Sequence, residues 1–282
     1  MREIAVRGSL RYHPAMRVGV VQTSPVFGER DRNIAEAVKL IGQERADLWI
    51  LPELFATGYQ FVDADEARAL AEPVPDGPTT RALIEHAKEL GCYIVAGLPE
   101  RGGDRFFNSA LLVGPDGLLA CYRKIHLFYR ETRIFSPGDR SFPVLDIGAC
   151  RVGLMVCFDH LFPESARTLA LLGADVIAHP ANLVMPDLAQ RTMAVRALEN
   201  GLFAATANRV GREARTDETL VYTGQSQIVG PDGAILARLS PEEVGISVVE
   251  IDVKRARDKR ITTFNDVLAD RRPDQYRLGG TG

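Results

Sequence analysis

The stretch VGLMVCFDHLFPESAR, from Val152 to Arg167, carries an apolar strand pattern into Cys157, breaks at Phe158 and Asp159, and turns helical near Pro163. A strand that ends on a cysteine at such a turn poses two questions: which fold repeats this grammar, and what would take the proton of a reactive thiol. An echo along the chain answers the first. VGVVQT at Val18 matches VGLMVC at Val152, ADLWILPE at Ala46 matches ADVIAHPA at Ala174, and LVGPDGLLA at Leu112 matches IVGPDGAILA at Ile228. Three matches in the same order predict two similar α/β halves within one domain.

Each half alternates buried strands with helical stripes. Asp31 offers a cap before the stripe Ile34, Ala35, Val38 and Ile41, and Thr79 to Leu90 reads as a helix stopped by Gly91. Pro115, Asp116 and Gly117 mark a hairpin turn. Strands buried on both faces place helices outside and sheets inside. The expected fold is therefore α/β, a four-layer αββα sandwich of two similar halves. The halves differ at strand ends, where α/β folds place ligands: Cys157 stands where the first half has Thr23, and Glu53 where the second has Ala181.

Composition narrows the function. The 282 residues are 46% apolar with a net charge of -3, which argues against a nucleic-acid binder. The four cysteines form no C-x-x-C pair, so neither a zinc ribbon nor a redox dithiol is expected, and a reducing cytoplasmic setting is the simplest reading. No stretch approaches the roughly 20 apolar residues of a membrane span. The N-terminus lacks the apolar core of a signal peptide. With Met16 standing just before the first strand, residues 1–15 read as an extension.

Cys157 sits where a nucleophile elbow would put it, with backbone N–H groups after it able to hold an oxyanion, although most intracellular cysteines are simply buried. Cys92, Cys121 and Cys150 read as structural. His160 is near in sequence, but nothing local brings its imidazole to the sulfur, and His126 and His179 read more readily as satisfied core residues. Glu53 closes an apolar strand after a proline; it is either an exposed strand-end charge or, if buried, a proton carrier with a raised pKa. Lys124 stands out because the chain has five lysines against 29 arginines. A lysine is a compact cation suited to an oxyanion or thiolate, and equally an ordinary strand-end charge. Glu131 could orient Lys124 or form a surface ion pair.

Together these residues resemble the nitrilase superfamily of carbon–nitrogen hydrolases. Its three landmarks stand in order as LPELFATGY, YRKIHLF and VCFDHLFPE, joined by RETRIFSPGD, HPAN and RALENG. Within the superfamily the chain is most similar to small nitrilases of thermophilic archaea, which share HLFYRE and CFD. The resemblance covers Met16 to Arg272. It implies a single hydrolase domain over 16–272, with the extension 1–15 before it and a tail 273–282 after it.

The resemblance also implies an αββα sandwich and a triad of Glu53, Lys124 and Cys157. Glu53 would take the thiol proton, Lys124 and the Phe158 N–H would stabilise the developing charge, and Glu131 would position the lysine and substrate. The substrate would be a small amide or nitrile, split through a thioester to ammonia and a carboxylic acid with no metal or organic cofactor. Substrate contacts are expected from Tyr59, Phe128, Tyr129, Phe158 and Asn182. Many relatives have an arginine after the nucleophile where this chain has Leu161, which favours a neutral substrate. Phe-Asp follows the cysteine in place of the Trp-Glu of many nitrilases, which leaves nitrile and amide both open. Amide-forming acyl transfer on the same triad, and an inactive interaction module, are the alternatives. No nucleic-acid or membrane partner is expected. A homodimer or higher even-numbered assembly is, through the helix after Pro163 and the one around Arg191 to Asn200.

Overall fold

A computed structural model describes residues 15–276. The extension expected over 1–15 lies outside them except for Ala15, as do residues 277–282 of the expected tail. The first half builds β1 (Met16–Gln22), α1 (Arg30–Ile41), β2 (Leu48–Ile50), α2 (Ala64–Leu70), α3 (Pro78–Leu90), β3 (Tyr93–Gly102), β4 (Arg105–Gly114) and β5 (Gly117–Arg123). Next come the one-turn helix α4 (Glu131–Ile134), β6 (Val144–Asp146), β7 (Arg151–Leu154) and a 3-10 turn (Cys157–Leu161). The second half continues with α5 (Pro163–Leu171), β8 (Val176–Pro180), α6 (Leu188–Asn200), β9 (Phe203–Ala207) and the short hairpin β10 (Arg212–Glu213) and β11 (Leu220–Val221). It closes with β12 (Gln227–Val229), β13 (Ile235–Arg238), β14 (Gly245–Ile251) and α7 (Lys254–Arg257).

One sheet has the order β14-β1-β2-β3-β4-β5 and the other β6-β7-β8-β9-β12-β13. Three parallel strands form the middle of each, β1 to β3 and β7 to β9, with antiparallel strands on either side. The duplication read from the sequence holds strand for strand within the two six-stranded sheets, and the hairpin β10–β11 is the second half's addition. The final strand of each half crosses over: β6 edges the second sheet beside β7, and β14 edges the first beside β1. Even the irregularity repeats, since the register shifts between Leu112 and Val113 and between Ile228 and Val229, which align in the echo.

The period of two in a strand separates the layers. Leu48 and Ile50 of β2 join Val18, Val20, Val152 and Ala178 between the sheets. Trp49 and Leu51 turn outward to Ile34, Ala37 and Ile41 of α1 and to Leu83 and Ala87 of α3. Helices α5 and α6 cover the second sheet with Ala166, Leu169, Met193 and Ala197. Burying each large apolar side chain contributes about 1.5–3 kcal/mol, and these contacts hold the expected four-layer sandwich together.

Two local expectations change. Helix α1 starts at Arg30 after Glu29, so Asp31 lies inside the first turn and favours the N-terminal dipole rather than capping it. Its buried stripe runs through Ile34, Ala37 and Ile41, with Ala35 exposed, because the sheet lies under Ala37. Helix α3 ends as expected at Gly91, in the left-handed conformation with φ 62°.

Candidate active site

Glu53 follows β2, Lys124 follows β5, Glu131 opens α4 and Cys157 follows β7, so four loops from both halves meet at one end of the sheets. All four residues are buried, with exposures of 1%, 0%, 4% and 5%. Lys124 Nζ donates to Glu53 Oε1 at 2.7 Å and to Glu131 Oε1 at 2.8 Å. Glu53 Oε1 also accepts from Asn108 Nδ2 at 2.7 Å. Glu53 Oε2 is buried with no hydrogen-bond partner among the described residues. Glu131 Oε1 also accepts from the Tyr59 hydroxyl at 2.6 Å, and Glu131 Oε2 from Phe128 N at 3.2 Å.

Burial raises the pKa of Glu53; Lys124 opposes the rise and Glu131 adds to it. Burial also works to lower Lys124, but the carboxylates of Glu131 and Glu53 outweigh it and hold the ammonium charged. The Cys157 thiol is pushed well up, first by burial and then by Glu53, with Lys124 pulling the other way. The thiol proton therefore stays on sulfur at neutral pH, in the same buried site as a carboxylate with one unpartnered oxygen.

Backbone strain marks the same residues. Leu54 (φ 49°), Tyr129 (φ 50°) and Cys157 (φ 42°) are three of five non-glycine residues with positive φ among those described. They adjoin Glu53, precede Glu131 and carry the thiol. Such conformations cost about 1–3 kcal/mol each and persist only where the surroundings enforce them. Gly97 supplies one enforcement: a Cβ there would lie 2.5 Å from Glu53 Cα and 2.7 Å from Leu54 N, so only glycine lets β3 pass beneath the Glu53 loop.

The motifs supply the rest. In HPAN, His179 Nε2 lies 2.9 Å from the Cys157 carbonyl, so it donates, and Nδ1 meets the Thr206 hydroxyl at 3.0 Å. Asn182 Nδ2 donates to the Glu53 carbonyl at 2.8 Å. In RALENG, Arg196 donates to the His160 and Leu161 carbonyls at 3.2 and 3.1 Å, tying α6 to the cysteine turn. Asp159 accepts from Val156 N and the Tyr122 hydroxyl, both at 2.8 Å, and meets His126 Nδ1 at 2.8 Å.

His160 and His179 are core residues, whereas His126 is half-buried. Burial lowers His179 to about 4 and His160 to about 3, so both are neutral near pH 7. His126 stacks on Phe162 with ring centres 3.7 Å apart. A cavity of about 260 Å³ opens beside Cys157. Phe128, Phe158 and Asn182, three of the residues named for substrate contact, line it together with Leu161, Met185 and Leu188, and no lining side chain among the described residues is charged. Tyr59 and Tyr129 are not in that lining: Tyr59 holds Glu131, and Tyr129, 54% exposed, donates to Glu218 Oε1 at 2.6 Å. Asn108 and Glu213 were not singled out from the sequence, and Asp159 and Arg196 enter only as parts of matched motifs. For Asn108 a signal existed, one amide within the apolar run FFNSALL. Among the described residues no group of three or more His, Cys, Asp or Glu is placed to hold a metal ion, and no helix is long and apolar enough to cross a membrane.

A two-sheet α/β sandwich with a buried thiol beside a lysine and two carboxylates is the arrangement of a cysteine hydrolase. The carbon-nitrogen hydrolase family model matches residues 17–261. A nitrilase of the archaeon Pyrococcus abyssi is 49% identical, covering 93% of this chain and 99% of that protein. An (R)-stereoselective amidase of a Pseudomonas species is 36% identical, covering 91% and 92%. Among solved structures, a variant of the Nesterenkonia sp. AN1 amidase with the acetamide moiety of fluoroacetamide on its active-site cysteine superposes with a TM-score of 0.75. It is 29% identical and covers 95% of this chain and 97% of that one. The chain belongs to the carbon–nitrogen hydrolase family, the nitrilase superfamily. It is a hydrolase of the nitrilase/amidase type with an active-site cysteine.

Proposed function

We propose that Cys157 is the nucleophile, Glu53 its general base and acid, and Lys124 the electrostatic stabiliser, in hydrolysis of a small amide or nitrile. The observation that carries this reading is the Lys124 ammonium bridging Glu53 and Glu131, with Glu53 Oε2 left free in the same buried site as the thiol. As sulfur attacks the carbon, its proton passes to Glu53. Lys124 and the Phe158 N–H stabilise the charge developing on oxygen or nitrogen. For an amide, Glu53 returns the proton to the departing nitrogen and ammonia leaves a thioester. Water, deprotonated by Glu53, then attacks that thioester, and the carboxylic acid departs as the thiol is restored. A nitrile first gives a thioimidate, which water carries to the same thioester as ammonia leaves. Glu131, clamped by Tyr59, holds Lys124 between the carboxylates.

The uncharged cavity favours an acyl group without a formal charge, because a carboxylate or ammonium buried there would find no partner. Residues 16–272 act as one domain, since the crossed-over β6 and β14 complete each other's sheets. The assembly proposed is a homodimer or higher even-numbered oligomer through α5 and α6, which carry exposed Leu171, Val195 and Leu198, with exposed Leu172 just after α5. A monomeric mass in light scattering at micromolar concentration would overturn that assembly. The catalytic reading is tested by ammonia release from a panel of small primary amides and nitriles. Cys157→Ala should abolish it, and Glu53→Gln should lower it about 10²–10⁴-fold. Undiminished release from Cys157→Ala would refute the reading.

A further inference from the structure

Arg209 and Glu213 are buried, 1% and 6% exposed, and the proposed chemistry does not use them. They lie where the second half reaches over the loop that follows Glu53. The Glu213 carboxylate collects four donors: Arg209 Nη1 at 2.5 Å, Gln60 N at 2.6 Å, the Tyr222 hydroxyl at 2.9 Å and Tyr59 N at 3.3 Å. Two of these are consecutive backbone N–H groups. The approach needs a bare backbone, and Gly58 provides it: a Cβ there would lie 2.8 Å from Glu213 Oε1.

Arg209 is itself anchored, donating to the Pro25 carbonyl at 3.1 Å with its guanidinium 3.9 Å from the Tyr222 ring centre. The loop of the β10–β11 hairpin, which follows Glu213, grips Gln60 as well, since Arg215 N donates to Gln60 Oε1 at 2.6 Å and Gln60 Nε2 to the Glu218 carbonyl at 2.8 Å. All of this fixes the main chain of Tyr59, whose hydroxyl donates to the Glu131 oxygen that also receives Lys124.

We propose that Glu213 is a positioning residue for the proposed reaction: by holding the Tyr59 and Gln60 N–H groups it aims the Tyr59 hydroxyl at Glu131, and so sets how Lys124 is shared between Glu131 and Glu53. The proposal rests on Glu53 being the base and Cys157 the nucleophile. The groups that act on Glu131 from the elements around it are Lys124, Tyr59, Glu53 and Cys157; those on Glu213 are Arg209, Tyr222 and Arg215. If Glu213 is neutralised, the Tyr59 loop relaxes and Glu131 loses a donor. It then draws Lys124 more strongly, and Glu53 keeps its proton to higher pH.

The test follows alkylation of Cys157 by iodoacetamide against pH, with the modified peptide identified by mass. Glu213→Gln and Tyr59→Phe should each move the acidic limb to higher pH by about one unit, which is about tenfold slower alkylation at a fixed pH on that limb. The double variant should move it no further than either single change. Glu213→Asp, which keeps the charge, should restore part of the shift. An unmoved limb in Glu213→Gln, or shifts that add in the double variant, would overturn the proposal and leave Glu213 a purely structural staple. If Glu213→Gln does not fold, Glu213→Asp goes through the same cycle with Tyr59→Phe, and additive shifts there have the same force. Glu53→Gln separates the two readings: it should remove the acidic limb altogether. An acidic limb that survives in Glu53→Gln sinks the assignment of the base itself.

Discussion

Lys124 Nζ sits 2.7 Å from Glu53 Oε1 with both side chains fully buried. Two charges are held out of water at this point, and Glu131 makes a third. Desolvating them costs several kcal/mol per ion, which their mutual attraction recovers only with close geometry and additional hydrogen bonds. Asn108, Tyr59 and the Phe128 N–H supply those bonds.

Lys124→Met should abolish ammonia release and destabilise the fold by about 3–5 kcal/mol, the range for removing one partner of a buried ion pair. Urea unfolding reads the loss. The deficit should shrink as pH falls, because the abandoned carboxylates can protonate. An unchanged midpoint would contradict the burial of this cluster.

The acidic limb of kcat/KM should lie above the ordinary glutamate value of about 4.3. Burial raises the Glu53 pKa, so the proton persists to higher pH and the basic form is lost as pH falls through that raised value. The Asn108 hydrogen bond lowers this pKa, so Asn108→Leu should push the limb higher still. A pH–rate profile checks both the position and the direction.

Asp159 should matter to fold and turnover together. It ties Val156 N, the Tyr122 hydroxyl and His126 around the cysteine turn. Asp159→Asn keeps the shape but turns an acceptor pair into one acceptor and one donor. The expected cost is about 1.5–3 kcal/mol, the worth of a hydrogen bond to a charged group, with a lower kcat. Denaturant unfolding and steady-state kinetics on the same variant measure the two effects.

Leu161 stands at the mouth of the cavity and is 40% exposed, so an arginine there would keep its charge in water. Leu161→Arg should raise kcat/KM for a carboxylate-bearing amide relative to its neutral isostere. A gain of about 10- to 100-fold corresponds to one charge-assisted hydrogen bond of about 1.5–3 kcal/mol. Competition between the two amides gives the ratio directly, and an unchanged ratio would remove Leu161 from the specificity surface.

The layers were legible in the sequence because the two halves repeat the same strand pattern, and the β1 and β7 strands that carry it pair as the echo implies. Glu53, Lys124 and Cys157 each break a local habit (an acid after an apolar strand, a lysine in an arginine-rich chain, a thiol at a turn), but each habit alone left an ordinary reading open, and it was the ordered motifs of the family resemblance that joined the three. The crossing of β6 and β14 was not, since an edge strand of three to seven residues gives no sign of which sheet it joins. Glu213 was hidden for a different reason. Its contact with Gln60 spans 153 positions, and a glutamate in a polar segment looks the same whether it is solvated or buried. Tyr59 and Tyr129 lie equally close to the landmarks, yet one turns inward to Glu131 and the other outward to Glu218.

The most direct measurement is the intact mass of the Glu53→Gln variant after incubation with small primary amides and nitriles, followed by peptide mapping. Glu53→Gln slows acylation as well, since Glu53 also takes the thiol proton, but the thioester that does form then lacks a base for water attack. Over a long incubation the variant should accumulate an acyl mass on Cys157 that wild type sheds, and Cys157→Ala should carry none. An acyl mass on any other residue, or turnover by Glu53→Gln at the wild-type rate, would contradict the roles assigned to Glu53 and Cys157.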